Sequence, residues 1–177
     1  FSARKLSPMP NTGAIVLVGP MGVGKTTIGK KLAKKLGLPF VDTDQLVTRA
    51  HGPIPEIFEQ QGEAVFRQFE ESAVLEAIAV PSVVATGGGA VLSEHTRAAL
   101  TQTKVVYLST DGRHMASRLV GGNRPLLKDG ISDWRRIYES RKELYEQVAD
   151  FTVDTSKMAL KSVVDHIIEG LGLANEH

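Results

Sequence analysis

Gly19-Pro20-Met21-Gly22-Val23-Gly24-Lys25-Thr26-Thr27 decides the reading of this 177-residue chain. The stretch fits G-x-x-x-x-G-K-[ST], and its flanks supply the context which that pattern requires. Before it, Ala14-Ile15-Val16-Leu17-Val18 is a short apolar, β-branched run that reads as a buried strand. After it, residues 27–36 read as a helix, with Ile28, Leu32 and Leu36 on one face and Gly37 at the stop. A polyphosphate tail is a chain of oxygens that needs many donors at close range. Glycines allow successive backbone N–H groups to curl inward, and the following helix adds free amides and the positive end of its dipole. Lys25 supplies a mobile positive charge for the β- and γ-phosphates, and the Thr26 hydroxyl is placed to ligate Mg²⁺. Gly22, Val23, Gly24, Lys25, Thr26 and Thr27 are therefore expected to hold a nucleoside triphosphate.

The length is that of one domain with a full core, and the apolar and charged fractions of 42% and 23% are ordinary for a soluble globular protein. Cysteine is absent, which excludes disulfides, thiolate metal sites and cysteine nucleophiles. The apolar runs are strand-length, so no membrane span is expected. Residues 1–13 are polar, with Pro8, Pro10 and Gly13, and read as a flexible extension; residues 14–172 read as one domain and 173–177 as a tail. Net charge is +1, yet no acid precedes Asp42 while seven basic residues do. A solvated basic helix face accounts for that, with a weak field attracting polyphosphate as the sharper reading. No aromatic-interleaved basic stretch suggests nucleic-acid binding.

Further β-type runs fall at 39–41, 82–85, 105–108 and 151–153. Helical patterns lie at 54–78 (broken at Gly62), 93–100, 111–119, 132–148 and 158–171. Alternating strands and helices predict an α/β, three-layer fold: a five-stranded parallel sheet with helices on both faces. Ligands in such sheets gather beyond the carboxyl ends of the strands. Asp42-Thr43-Asp44 follows the second strand, and on an extended chain its two carboxylates share a face. Asp42 is a candidate for Mg²⁺ and Asp44 for an acceptor hydroxyl, although Asp44 as a helix N-cap is the plainer alternative. After the third strand, Thr86-Gly87-Gly88-Gly89 suggests a backbone approached closely by a ligand.

Two arginines stand out. Trp134, Tyr138, Tyr145 and Val148 form an apolar stripe at spacings of three and four, and Arg141 falls inside it. A charge facing inward needs a protein acid or a bound anion. Arg67 lies one turn before Glu70 and Glu71, where a helix-surface ion pair is equally natural. Residues 121–130, which include Arg124, are glycine-rich and irregular; in a phosphoryl-transfer enzyme they suit a mobile lid that excludes water and brings a cation to the γ-phosphate.

These motifs converge. Gly-Pro-Met-Gly-Val-Gly-Lys-Thr-Thr, Phe40-Val-Asp-Thr-Asp44, Ile54-Pro-Glu-Ile-Phe58, Gly62-Glu-Ala-Val-Phe-Arg67-Gln-Phe-Glu70, Ala85-Thr-Gly-Gly-Gly89, Arg124-Pro-Leu-Leu127 and Arg141-Lys-Glu-Leu-Tyr145 occur in the order seen in shikimate kinases. The chain resembles that family from about residue 14 to 171, with Thr48 standing where the family usually carries an acid. The resemblance implies transfer of the ATP γ-phosphoryl group to the 3-hydroxyl of shikimate by a cytoplasmic monomer. It implies that Arg67 and Arg141 hold the substrate carboxylate, that Glu70 positions Arg67, and that Phe58 and Phe66 wall the ring. Asp44 and the backbone of Gly87, Gly88 and Gly89 would meet ring hydroxyls, with Asp44 as base or orienter. Thr26 would ligate Mg²⁺ directly and Asp42 through water, Lys25 and lid residue Arg124 would neutralise developing charge, and Arg118 and Ser156 would flank the adenine. The lid would span about 118–131. Another small-metabolite or nucleoside-monophosphate kinase would share the loop and lid without the paired arginines. A guanine-nucleotide switch would need Asn-Lys-x-Asp and Asp-x-x-Gly, which are missing, and a non-catalytic module would lack base, metal ligand and lid cation.

Overall fold

Five β-branched runs, each too short for anything but a strand, alternate with helical segments, and a parallel sheet is what such alternation builds. The computed structural model describes residues 12–119 and 130–173. In chain order the elements are β1 (Ala14–Val18), α1 (Lys25–Leu36), β2 (Phe40–Asp42), α2 (Thr43–His51), α3 (Ile54–Gln61), α4 (Glu63–Ala77) and β3 (Ser82–Ala85). They continue with α5 (Glu94–Ala99), β4 (Lys104–Ser109), α6 (Met115–Arg118), α7 (Ile131–Val148), β5 (Phe151–Asp154) and α8 (Leu160–Gly170), with short 3₁₀ turns between some of them. All pairings are parallel and the order is β2-β3-β1-β4-β5. β1 is central, so the loop leaving it opens where the chain passes from one half of the sheet to the other, the usual place for a ligand.

Side-chain alternation along β1 assigns the two faces. Ala14, Val16 and Val18 pack with Val74 of α4 and with Trp134, Tyr138 and Tyr145 of α7. Ile15 and Leu17 pack with Ile28 and Leu32 of α1 and with Val163, Val164 and Ile167 of α8. All five residues of β1 are buried, and each of its four larger side chains contributes about 1.5–3 kcal/mol by leaving water. A third, smaller cluster of Val47, Ile57, Phe66 and Ala73 ties α2, α3 and α4 into a cap beside the sheet. Among the described residues no helix is long and apolar enough to cross a membrane.

The expected fold and the break at Gly62 stand; three local readings change. Thr43–His51 is helical, so Asp42-Thr43-Asp44 is not an extended tripeptide. Asp42 ends the strand and itself caps α2, its Oδ1 accepting from the Asp44 amide at 2.9 Å and from Gln45 at 3.4 Å; Asp44 sits in the first helical turn instead of capping it. Of residues 111–119 only Met115–Arg118 is helix. The first helix begins at Lys25, two residues earlier than its apolar face suggests.

Candidate active site

The loop after β1 turns on glycines. Gly22 and Gly24 have φ of 83° and 105°, a region that side chains disfavour, and Gly24 gives α1 no side-chain cap. The amides of the first turn are thus left for a ligand. Lys25 is buried, and its Nζ donates to the carbonyls of Gly19 and Pro20 at 2.7 and 2.8 Å. Arg118 Nη1 donates to the Gly22 carbonyl at 3.0 Å, and the Trp134 indole N–H to that of Met21 at 2.8 Å.

Asp42 links the loop to its neighbour. Its Oδ2 accepts from the Thr26 hydroxyl at 3.1 Å while Oδ1 caps α2. A hydroxyl and a carboxylate joined in this way form an all-oxygen set of the kind Mg²⁺ uses when phosphates and water complete its shell. Two residues on, burial raises the Asp44 carboxyl above its ordinary range, with Asp42 adding to the rise and Lys25 and Arg67 opposing it. That direction suits a group meant to receive or orient a proton.

The Gly87-Gly88-Gly89 turn is hemmed in by charged side chains. A Cβ at Gly87 would lie 2.8 Å from Glu70 Oε2 and 2.9 Å from Asp44 Oδ1, and one at Gly89 would meet the Arg67 guanidinium, 2.6 Å from its Cζ. A side chain at Gly87 or Gly89 would push these charged tips from their present positions. Arg67 Nη1 donates to Glu70 Oε1 at 2.9 Å, and its Nε and Nη2 reach Glu63 at 3.2 and 3.1 Å. Glu70 is buried, and desolvation raises its carboxyl despite the Arg67 bond that opposes the rise. Arg141 is only 6% exposed and hydrogen-bonds Tyr145, whose phenol burial pushes up to about 12. The Tyr145 hydroxyl donates to the Gly88 carbonyl at 2.6 Å. Among the described residues no carboxylate lies within ion-pair distance of Arg141. Phe58 and Phe66 meet at 5.0 Å between centroids, and Arg67 lies 5.2 Å over the Phe66 ring.

All of this opens onto one cleft of about 450 Å³, in the size range of small-molecule sites. The cleft brings together Gly22, Gly24, Lys25, Thr26, Thr27 and Arg118 from the nucleotide side with Asp42 and Asp44. On the acceptor side it gathers Phe58, Phe66, Arg67, Glu70, Gly87, Gly88, Gly89 and Arg141. Val23 does not line it: the side chain is buried in the core beneath the loop. Ser156 lies outside it too, its Oγ accepting from the Asp111 amide at 2.8 Å. Arg124 and most of the expected lid lie outside the described residues. Met21, Ile54, Ala85 and Thr86 also line the cleft; the sequence places them within motifs without giving any of their side chains a role. Three of them are apolar, and the Thr86 hydroxyl donates to the Leu17 carbonyl at 2.8 Å.

Sequence comparison decides the family: its profile, described as shikimate kinase, matches residues 21–172. The chain belongs to the shikimate kinase family. It is 44% identical to the shikimate kinase of Streptomyces coelicolor over 163 residues, 90% of this chain and 95% of that protein. The shikimate kinase of Neisseria gonorrhoeae is 41% identical over 150 residues, 81% and 88% of the two chains. Among solved structures, shikimate kinase from Acinetobacter baumannii in complex with shikimate superposes with a TM-score of 0.85 at 36% identity, covering 96% of each chain. A gluconokinase from Sinorhizobium meliloti, at 21% identity and a TM-score of 0.61 over 92% of this chain and 93% of that one, shares the fold. As a member of the shikimate kinase family, the chain is an ATP-dependent kinase acting on shikimate.

Proposed function

We propose that the γ-phosphoryl group of ATP passes to the 3-hydroxyl of shikimate in this cleft, with Arg67 and Arg141 holding the shikimate carboxylate. The observation that carries this reading is the buried guanidinium of Arg141, which lines the cleft with no carboxylate in ion-pair reach among the described residues. A planar carboxylate supplies the missing anion in two-pronged fashion. Glu70 holds Arg67 in place, Phe58 and Phe66 wall the ring, and the Gly88 carbonyl, committed to Tyr145, leaves the backbone amides of the turn for ring hydroxyls. Asp44 orients the 3-hydroxyl and takes its proton as the oxygen bonds to the γ-phosphorus and the bond to the β-phosphate oxygen breaks, releasing ADP.

Such a transfer is mostly positioning and charge stabilisation. Lys25 leaves the Gly19 and Pro20 carbonyls for the β- and γ-phosphates. Thr26 would hold Mg²⁺ directly and Asp42 through water, and the bound ion would supply positive charge that neutralises phosphate oxygens. Residues 118–131 act as the lid, Arg124 supplies its cation, and Arg118 and the Ser156 turn flank the adenine. Residues 14–172 form one catalytic domain between an N-terminal extension (1–13) and a tail (173–177). The proposal is of a cytoplasmic monomer without nucleic-acid or membrane partners.

The test is a coupled ADP-release assay with Mg·ATP against shikimate, gluconate and nucleoside monophosphates. ADP release driven by shikimate alone is expected. Turnover of gluconate or a nucleotide with none of shikimate would overturn the assignment.

A further inference from the structure

The stripe on α7 does more than fill the core. Trp134, Tyr138 and Tyr145 are buried, and each sends a polar tip to a partner outside the helix. Tyr145 reaches Gly88, Tyr138 meets the hydroxyl of Tyr107 at 2.7 Å, and Trp134 reaches the Met21 carbonyl in the phosphate-binding loop.

We infer that Trp134 is a positioning residue for nucleotide binding: its indole N–H fixes the Met21–Gly22 peptide so that the Gly22 amide faces the triphosphate. The inference rests on the reading that this loop holds the phosphates of ATP. In a trans peptide the carbonyl and the following N–H point in opposite directions, and no cis peptide occurs here. With the Met21 carbonyl drawn to α7, the Gly22 N–H is turned the other way, toward the cleft that Met21 and Gly22 line. Gly22 has no side chain to hold this plane, and at its φ of 83° a glycine is free to leave for other backbone conformations at little steric cost.

The donor is itself clamped. The Trp134 ring packs against Tyr138 at 5.2 Å, and a Cβ on Gly112 would lie 2.9 Å from Trp134 Cζ3, so the backbone there lies close to the indole. The hydrogen bond is accompanied by packing of Met21 against the cluster that holds Trp134 and Tyr138, with a small cavity lined in part by Pro20, Ile137 and Tyr145 beside it. It also differs from the other ties on the loop. Lys25, which holds the Gly19 and Pro20 carbonyls, is wanted by the phosphates when ATP arrives, whereas an indole N–H is a donor only, carries no charge and has no competing ligand.

Trp134 is the single tryptophan of the chain, so a tryptophan auxotroph fed 3-benzothienylalanine exchanges this one N–H for sulfur while keeping the ring shape. Trp134→Phe is the genetic counterpart. Loss of one neutral hydrogen bond predicts roughly fivefold weaker ADP binding, with a matching rise in KM for ATP and with shikimate affinity unchanged. In the unaltered protein, the lone indole N–H resonance is expected to move during an ADP titration. Unchanged ADP affinity in the benzothienyl protein, equal weakening of ADP and shikimate, or an indole resonance that ignores ADP would each overturn the inference. Failure of the unaltered protein to bind ADP would instead strike at the reading of the loop, so the two failures are distinguishable.

Discussion

On the proposed reading the Arg141 guanidinium is buried to meet a ligand, so replacing it with methionine separates binding from stability. The side chain is 6% exposed and lies among Trp134, Tyr138 and Tyr145, with no acid in ion-pair reach among the described residues. A hydrogen bond to a charged group is worth about 1.5–3 kcal/mol, so losing a two-pronged grip on a buried carboxylate costs about 3–4 kcal/mol. At about 1.4 kcal/mol per factor of ten, the KM for shikimate is expected to rise by about two to three orders of magnitude. Arg141→Met roughly keeps the volume and removes a desolvated charge that has no carboxylate in ion-pair reach among the described residues, a change expected to be neutral or stabilising. The Tm of the ligand-free variant is therefore expected to stay level or rise, and its affinity for ADP to remain within about twofold. Steady-state kinetics, ADP titration and a thermal melt in the absence of ligand cover all three. A fall of more than about 5 °C in Tm, or equal losses for shikimate and ADP, would show that Arg141 is a structural residue and refute the reasoning.

Asp44→Asn is expected to reduce kcat by about two orders of magnitude or more while leaving ADP affinity nearly unchanged, and near-normal turnover would remove Asp44 from the chemistry. Because burial holds its folded pKa above the ordinary 3.8, the ionised form opposes folding. That cost is fully present above the folded pKa and disappears as pH falls toward 3.8. The Asn variant is accordingly expected to melt higher than the parent at pH 7 to 8, with the gap closing in acid; a gap that widens in acid contradicts the direction. Gly89→Ala drives a methyl into the Arg67 guanidinium and is expected to raise the KM for shikimate by about tenfold with ADP binding unaffected; an unchanged KM would mean that the present position of the Arg67 guanidinium is not needed for substrate binding.

Much of this was legible in the chain. The loop motif stands between an apolar run and a helical face, and its geometry depends mainly on glycine and local hydrogen bonds. Gly62 ends a helix wherever it occurs in such a pattern. Arg141 was conspicuous because it breaks a stripe whose other members are core. What escaped depended on tertiary placement. Asp42 serves two partners at once, the end of α2 and Thr26, and nothing local distinguishes that from two acids on an extended chain. Val23 fits the loop pattern, yet whether its side chain faces ligand or core is set by how α1 packs on β1. The polar tips of Trp134 and Tyr145 were hidden by their apolar bodies: spacing marked them as core, and only the fold shows which loops their N–H and O–H groups reach.

The measurement that tests the central claim most directly is ³¹P NMR of the purified protein with Mg·ATP and shikimate. The account predicts loss of the γ-phosphate signal and growth of one phosphomonoester resonance coupled to the proton on carbon 3 of shikimate. Inorganic phosphate alone, or an ester on another hydroxyl, would contradict it.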